Sequence, residues 1–230
     1  MKNELYNYRI NDIERNLEIA RFRPLDVMVT GNTGAGKSST LNALFKKEVA
    51  KVGTGVSPET MELDAYSLNN AMRFWDTPGL GDGVEMDKIH SKKLINLLYD
   101  TYTLNGQRYG FIDLVIVIVE GINRDMGTTY KLLNEIIVPN FQKDRILIAI
   151  NQADVAMKGR GWNFNTNTPD EKLIEFLEQQ SNSIQKRIKE ATGVTVKKPI
   201  YYSAEYGYNV TKFYDFIIDN MPRQRRDILL

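Results

Sequence analysis

The stretch from Gly31 to Ser39, GNTGAGKSS, combines residue types that together can hold a chain of phosphates. Its glycines let successive backbone N–H groups turn inward, and a helix beginning near Lys37 adds the positive end of its dipole. At the spacing G-x-x-x-x-G-K-S, the Lys37 ammonium reaches the outer two phosphates and the Ser38 hydroxyl is placed to ligate Mg2+. The expected phosphate-binding set is Asn32, Thr33, Gly34, Ala35, Gly36, Lys37, Ser38 and Ser39. A chance glycine-rich turn is the competing explanation. The strand-like LDVMVTG before it and the helix-like KSSTLNALFKK after it argue against chance.

Downstream, AMRFWDT leads into DTPGLGDG. An aspartate at that strand end, Asp76, is placed to hold a metal-bound water. Gly79 would offer its backbone N–H to a terminal phosphate, an approach that only a residue without Cβ allows. The glycines at 79, 81 and 83 suit a segment that rearranges when that phosphate leaves. By itself DTPG is an ordinary turn, and its place after the phosphate cradle is what gives it meaning. Between the two, VSPETME offers Thr60 as the threonine that caps Mg2+ when a triphosphate is bound, with Thr54 as its rival. Lys37, Thr60 and Gly79 thus form the expected catalytic set, and Ser38, Thr60 and Asp76 the metal set.

A third cluster is NQAD, Asn151 to Asp154. The Asp154 carboxylate can accept two hydrogen bonds, from the N1–H and the exocyclic amine of guanine. Adenine presents neither donor and leaves the buried carboxylate unpaired, at a cost of several kcal/mol. Asn151 is expected to tie this loop to the phosphate loop. Gln152 stands where a guanine reader more often has lysine, and its shorter stem is expected along the base face, weakening the fit without changing the base. Further on, YYSAE places the Ala204 N–H for the guanine carbonyl, Ser203 to brace the turn, and Glu205 to complete the base-binding set. An arginine that neutralises charge during transfer could be Arg124 or Arg160, though a solvated surface position is the simpler reading of each. The single His90 reads first as a surface residue on the helix after the glycines, and only second as a group near the terminal phosphate.

These clusters need a scaffold that brings strand ends together. Short continuous apolar runs alternate with helical patterns, which predicts an α/β, three-layer fold with a mostly parallel six-stranded sheet covered on both faces. The six strands are LDVMVTG, ETMELDAYSL, AMRFWDT, IDLVIVIVEG, RILIAINQ and KPIYYSAE, with a tight turn at Asn69-Asn70. A helix is expected over 86–104 and a long one from Pro169 to the glycine at 193. Residues 1–22 read as an amphipathic helix ahead of the nucleotide-binding domain at 23–222, and 223–230 as a solvated arginine-rich tail. The long connection at 155–169 either covers the base or meets a partner through Trp162 and Phe164, or is a flexible insertion.

Composition narrows the classes. There are 30 basic and 29 acidic side chains, so no overall charge favours DNA or a membrane surface. The chain has no cysteine, which excludes disulfides and thiolate chemistry, and one histidine, which excludes a His-rich metal centre. The most apolar run, LVIVIV, is far shorter than the ~20 residues of a membrane span. The polar N-terminus is no signal peptide, so a cytoplasmic protein is expected.

With these motifs in order over residues 25 to 220, the chain resembles the translation-factor-like class of P-loop GTPases, the small G-protein-like fold. It looks closest to the Era-like, prophage-associated YfjP-type GTPases, whose NQAD also replaces lysine and whose AMKGRGW is shared. The resemblance implies GTP and Mg2+ binding with slow hydrolysis as a molecular switch. Leu80 stands where Ras-like enzymes have a water-orienting glutamine, so that route to hydrolysis is closed, and Gly34 replaces the asparagine of potassium-activated relatives. A septin-like module in which GTP stabilises a homodimer is the alternative, with an unknown protein effector in either case. A ribosome- or RNA-associated switch is disfavoured by the neutral charge and because no KH-type RNA-binding domain follows before Leu230.

Overall fold

The computed structural model describes residues 5–20, 24–45, 50–51, 65–81, 83–122 and 126–228. The elements run α1 (Ile10–Ala20), β1 (Leu25–Gly31), α2 (Lys37–Phe45), β2 (Ala50–Lys51), β3 (Ala65–Asn69), β4 (Met72–Asp76) and α3 (Val84–Tyr99). A hairpin of β5 (Thr101–Leu104) and β6 (Gln107–Gly110) leads to β7 (Leu114–Glu120). One helical rod then comprises α4 (Gly127–Lys131), a π-helical stretch (Leu132–Ile137) and α5 (Val138–Asn140). β8 (Ile146–Asn151), the short pair β9 (Trp162–Asn163) and β10 (Thr168–Pro169), α6 (Glu171–Thr192), β11 (Ile200–Tyr201) and α7 (Val210–Asp219) complete the chain.

The main sheet has the order β11-β8-β7-β1-β4-β3-β2. β11, β8, β7, β1 and β4 are parallel, and β3 and β2 continue antiparallel at one edge. All six expected strands are represented among the described residues, residues 59–64 of ETMELDAYSL lying outside them, and the two-residue β2 is added at the edge. Side chains alternate across this sheet, and each face has its own core. Val27, Val29, Leu114 and Ile116 meet α1, α2 and α7 through Ile13, Leu41, Phe45, Phe213 and Ile217. Met28, Val115, Val117 and Ile148 meet α3, the π-helical stretch and α6 through Leu94, Leu98, Leu133, Ile136 and Ile184. Burial on both faces explains why the central strands read as unbroken apolar runs.

Four local expectations are corrected. The turn between β3 and β4 falls at Asn70-Ala71 rather than Asn69-Asn70: Asn69 pairs with Met72, and its Oδ1 accepts from the N–H of Ala71 (2.9 Å) and Met72 (3.1 Å). The helix expected to 104 stops at Tyr99, because Asn105-Gly106 takes positive φ (51° and 77°) and forms a two-residue hairpin turn. The 155–169 connection is folded around its own small core, where Trp162 packs with Ala153, Ala156, Leu173 and Leu177 and stacks edge-on against Tyr208.

The tail is docked, not solvated. Arg226 is 2% exposed, donating from Nε to Ile112 O (2.7 Å) and from Nη2 to Leu98 O (2.5 Å). Arg145 donates to the carbonyls of Gln224 (2.8 Å) and Arg225 (3.2 Å), and the Arg225 guanidinium lies over the rings of Tyr102 and Tyr109.

Candidate functional site

The chain leaves β1 into a loop whose backbone must come very close to neighbours. At Gly36, φ is +82° and a Cβ would lie 2.3 Å from Asn151 Nδ2, so no other residue fits without displacing that asparagine. The loop ends at the first turn of α2, where the 9%-exposed Lys37 sends its ammonium back to Asn32 O (3.0 Å) and Gly31 O (3.5 Å). These carbonyls hold the ammonium over the concavity of the loop, where it can exchange them for phosphate oxygens. Thr40 Oγ1 braces the turn from below through Gly36 O (2.7 Å) and the Tyr202 hydroxyl (2.7 Å).

Ser38 and Asp76 meet at the mouth of the loop, with Ser38 Oγ donating to Asp76 Oδ2 at 2.7 Å. They line a cleft of about 400 Å³ together with Thr33, Gly34, Lys37 and Gly79. Among the described residues there is no group of three or more His, Cys, Asp or Glu side chains that could cage a metal. One hydroxyl and one carboxylate are instead the donor set of an ion that takes its remaining ligands from water and phosphate, as Mg2+ does.

After β4, Thr77 Oγ1 donates to Val29 O (2.8 Å) and the segment turns along the phosphate loop. Leu80 bridges to Asn32 as a one-rung extension of the parallel ladder, with Thr33 N–H donating to Leu80 O (2.8 Å) and Leu80 N–H to Gly31 O (3.4 Å). Gly79 lies so close that a Cβ would stand 2.5 Å from Thr33 N and 2.7 Å from Lys37 Nζ. The Leu80 side chain is 2% exposed and packs in the core with Leu94 and Met126, away from the cleft.

At the other end of the cradle, Asn151 is 3% exposed and its carboxamide uses both ends. Nδ2 donates to Ala35 O (3.0 Å) and Oδ1 accepts from Ala204 N–H (3.0 Å), so three loops are fastened through one side chain. The Ala204 N–H expected at the base carbonyl is therefore engaged with Asn151. Ser203 is buried and its Oγ accepts from Tyr206 N–H (3.3 Å), the bracing expected of it, while Glu205 is exposed. Asp154 is 8% exposed, and its Oδ1 is buried with no hydrogen-bond partner among the described residues. A carboxylate oxygen in that state is a strong acceptor waiting for donors. Gln152 adopts the left-handed conformation (φ 63°) and donates from Nε2 to Gly34 O (2.9 Å), a tie to the phosphate loop.

The structure therefore brings Asn32–Ser39, Asp76, Gly79, Asn151–Asp154 and Ser203–Glu205 to one rim of the sheet, beyond the carboxyl ends of the strands. Thr60, its rival Thr54 and Arg124 lie outside the described residues. Arg160 is exposed and lines a different cleft with Ile122, Met157 and Phe176. Two participants were underrated from sequence. Trp162 packs in one small core with Ala153 of the 151–154 loop, and His90 reaches the rim cleft with a 2.7 Å contact from Nδ1 to Gly79 O.

Comparison with known proteins follows the same residues. Residues 26–152 match the family described as 50S ribosome-binding GTPase. The chain is 35% identical over 97 residues to a probable GTP-binding protein EngB of Mycoplasma pneumoniae, a match covering 42% of this chain and 47% of that protein. Two other curated relatives are matched over 25% and 30% of their lengths, so the chain spans less than half of the curated relatives named first. Among solved structures, Toc33 from Arabidopsis thaliana in complex with GDP and Mg2+ superposes with a TM-score of 0.64 at 16% identity, over 99% of this chain and 97% of that one. Era from Aquifex aeolicus bound to GDP·AlF4− superposes with a TM-score of 0.52 at 17% identity, over 87% of this chain and 58% of that one. At these identities the superpositions speak for the fold alone. Among the described residues no helix is long and apolar enough to cross a membrane.

Proposed function

The chain belongs to the 50S ribosome-binding GTPase family, whose match covers residues 26–152, and from that premise we propose that it binds GTP with Mg2+ and hydrolyses it slowly to GDP and phosphate as a molecular switch. The observation that carries the guanine assignment is the buried Oδ1 of Asp154, which has no hydrogen-bond partner among the described residues. It sits on a loop that Asn151 fastens to the phosphate cradle through Ala35. A base with two adjacent donors satisfies it, and guanine has them where adenine does not.

In this reading the amides of Thr33 to Ser39 and the Lys37 ammonium hold the phosphates, and the Gly79 N–H meets the terminal one. Mg2+, when bound, would neutralise charge on the phosphate oxygens, and Ser38, Asp76 and Thr60 are the residues that would hold it. Phosphoryl transfer needs positioning and charge neutralisation above all. Because Leu80 points into the core, the attacking water is oriented by backbone groups or by a partner, which is why intrinsic turnover is slow. The glutamine in NQAD supports placing the chain with the YfjP-type members. A protein effector, a nucleotide-dependent homodimer and a cytoplasmic site of action belong to the same proposal.

The test is calorimetric titration of GDP, a GTP analogue, ADP and an ATP analogue with Mg2+, on wild type and Asp154→Asn. Guanine preference of at least ~100-fold, moved toward xanthine nucleotides by the substitution, is expected. Equal adenine binding would show the assignment to be wrong. Mass measured with GDP and with the GTP analogue separates a monomeric switch from an assembly module, since the latter requires a doubling with triphosphate alone.

A further inference from the structure

The segment from Asp76 to Gly81 is gripped from two sides. On one side lies the phosphate loop, through Thr33 N–H to Leu80 O and Leu80 N–H to Gly31 O. On the other side lie the first two turns of α3. Asp87 Oδ1 accepts from Gly81 N–H at 2.8 Å, and His90 Nδ1 meets Gly79 O at 2.7 Å. A carbonyl oxygen only accepts, so the hydrogen of the His90 contact is on Nδ1.

Glycine ranges over far more backbone conformations than any other residue, and Gly79 follows Pro78 directly. Its peptide N–H can present one direction to a phosphate only if something external limits its φ and ψ. Holding its carbonyl limits ψ, and His90 is the side chain that does so from outside the phosphate loop. We propose that His90 is the positioning residue of the terminal-phosphate sensor: its Nδ1–H orients Gly79 for GTP and ties the sensor to α3. The proposal rests on the GTP reading above, and adds that discrimination of GTP from GDP depends on a residue outside every motif. GDP has no group at Gly79, so its affinity does not involve the histidine.

The variants His90→Ala, His90→Asn and His90→Gln separate this from a general structural role. The asparagine amide nitrogen coincides with Nδ1, whereas the glutamine amide falls where Nε2 was. With Mg2+ present, His90→Ala is expected to weaken a GTP analogue three- to ten-fold, the range of one hydrogen bond, with GDP affinity unchanged within about two-fold. His90→Asn restores the analogue affinity and His90→Gln does not. Equal losses for GDP and the analogue would show that His90 merely holds the fold together, and rescue by glutamine or no loss with alanine would equally overturn the proposal. Absence of guanine binding by the wild-type protein would overturn the GTP reading and this proposal together, whereas normal wild-type binding with an unselective His90→Ala defeats only the proposal. Should His90→Ala fail to fold, the contrast between asparagine and glutamine decides.

Discussion

Replacing Arg226 with alanine tests whether the arginine-rich tail is a clamp. Its guanidinium donates to Ile112 O and Leu98 O, its own carbonyl accepts from Gly110 N–H (2.9 Å), and it lies 5.0 Å from the Phe141 ring centroid. Net hydrogen bonds from a charged donor are worth about 1.5–3 kcal/mol each. Burial works against the cation, lowering the Arg226 pKa to about 10, with the Asp113 carboxyl opposing that shift. The low end of the range therefore applies, and two such bonds sum to about 3 kcal/mol, with about 1 kcal/mol more for the lost stem packing. For a domain of this size each kcal/mol moves the melting temperature by about 2–4 °C, so Arg226→Ala is expected to melt roughly 8–16 °C lower. Arg226→Met, which keeps the stem but no donors, recovers only the packing part. Circular dichroism against temperature and urea measures both. A change under about 1 kcal/mol for the alanine variant would mean that the tail is carried by the domain without holding it.

Two further outcomes are expected. Burial pushes the Asp113 carboxyl up to about 8, helped by the nearby Asp26 carboxylate and opposed by the Asp26 N–H, Arg145 and Arg226. Between the ordinary carboxylate range and pH 8 the folded chain keeps a proton that the unfolded chain has released. Stability contributed by this group is thus complete at acid pH and falls as pH rises, by up to about 1.4 kcal/mol per pH unit. Asp113→Asn removes that slope, and urea midpoints for the two proteins that stay parallel from pH 5 to 8 would contradict the assignment. Gln152→Ala removes a solvent-exposed neutral hydrogen bond to Gly34 O. Guanine nucleotide affinity should drop roughly two- to five-fold without loss of base preference, as read by calorimetry; a change of base preference would show that Gln152 reads the base directly.

The rim chemistry was legible because its requirements are local. Lys37 and Ser38 must follow Gly36, and Gly79 must follow Asp76 at a fixed interval, whatever the rest of the chain does. The central strands were legible because burial on both faces leaves no polar residue to interrupt them. What was missed depends on partners distant in sequence. Nothing around Arg226 announces that Leu98 O and Ile112 O await it, and three arginines in eight residues look solvated until the helix end and the connection that receive Arg226 are known. Trp162 resembles an exposed contact residue until α6 brings Leu173 and Leu177 beneath it. The hairpin at Asn105-Gly106 was readable from its turn residues, but the helical pattern before it was extended too far. The tie from Gln152 to Gly34 required the left-handed backbone that aims it there.

α3 joins the two ends of the sheet that these residues define. It has 16 residues, a rod of about 24 Å. Its C-terminal half is anchored: Leu94, Leu97 and Leu98 are buried, and Leu98 O is held by Arg226. Its N-terminal half carries Val84, Met86 and Ile89 exposed at 69%, 46% and 50%, and touches the sensor through Asp87 and His90. The helix is thus held firmly at one end and lightly at the other, with its exposed apolar turns at the lightly held end. Burial sets that gradient: moving the C-terminal half would expose three leucines, at about 1.5–3 kcal/mol each, whereas the N-terminal half buries none and is tied to Gly79 and Gly81 by hydrogen bonds of His90 and Asp87. The exposed turns from Val84 to Ile89 are therefore the part of α3 that moves at least cost, while Arg226 secures the other end.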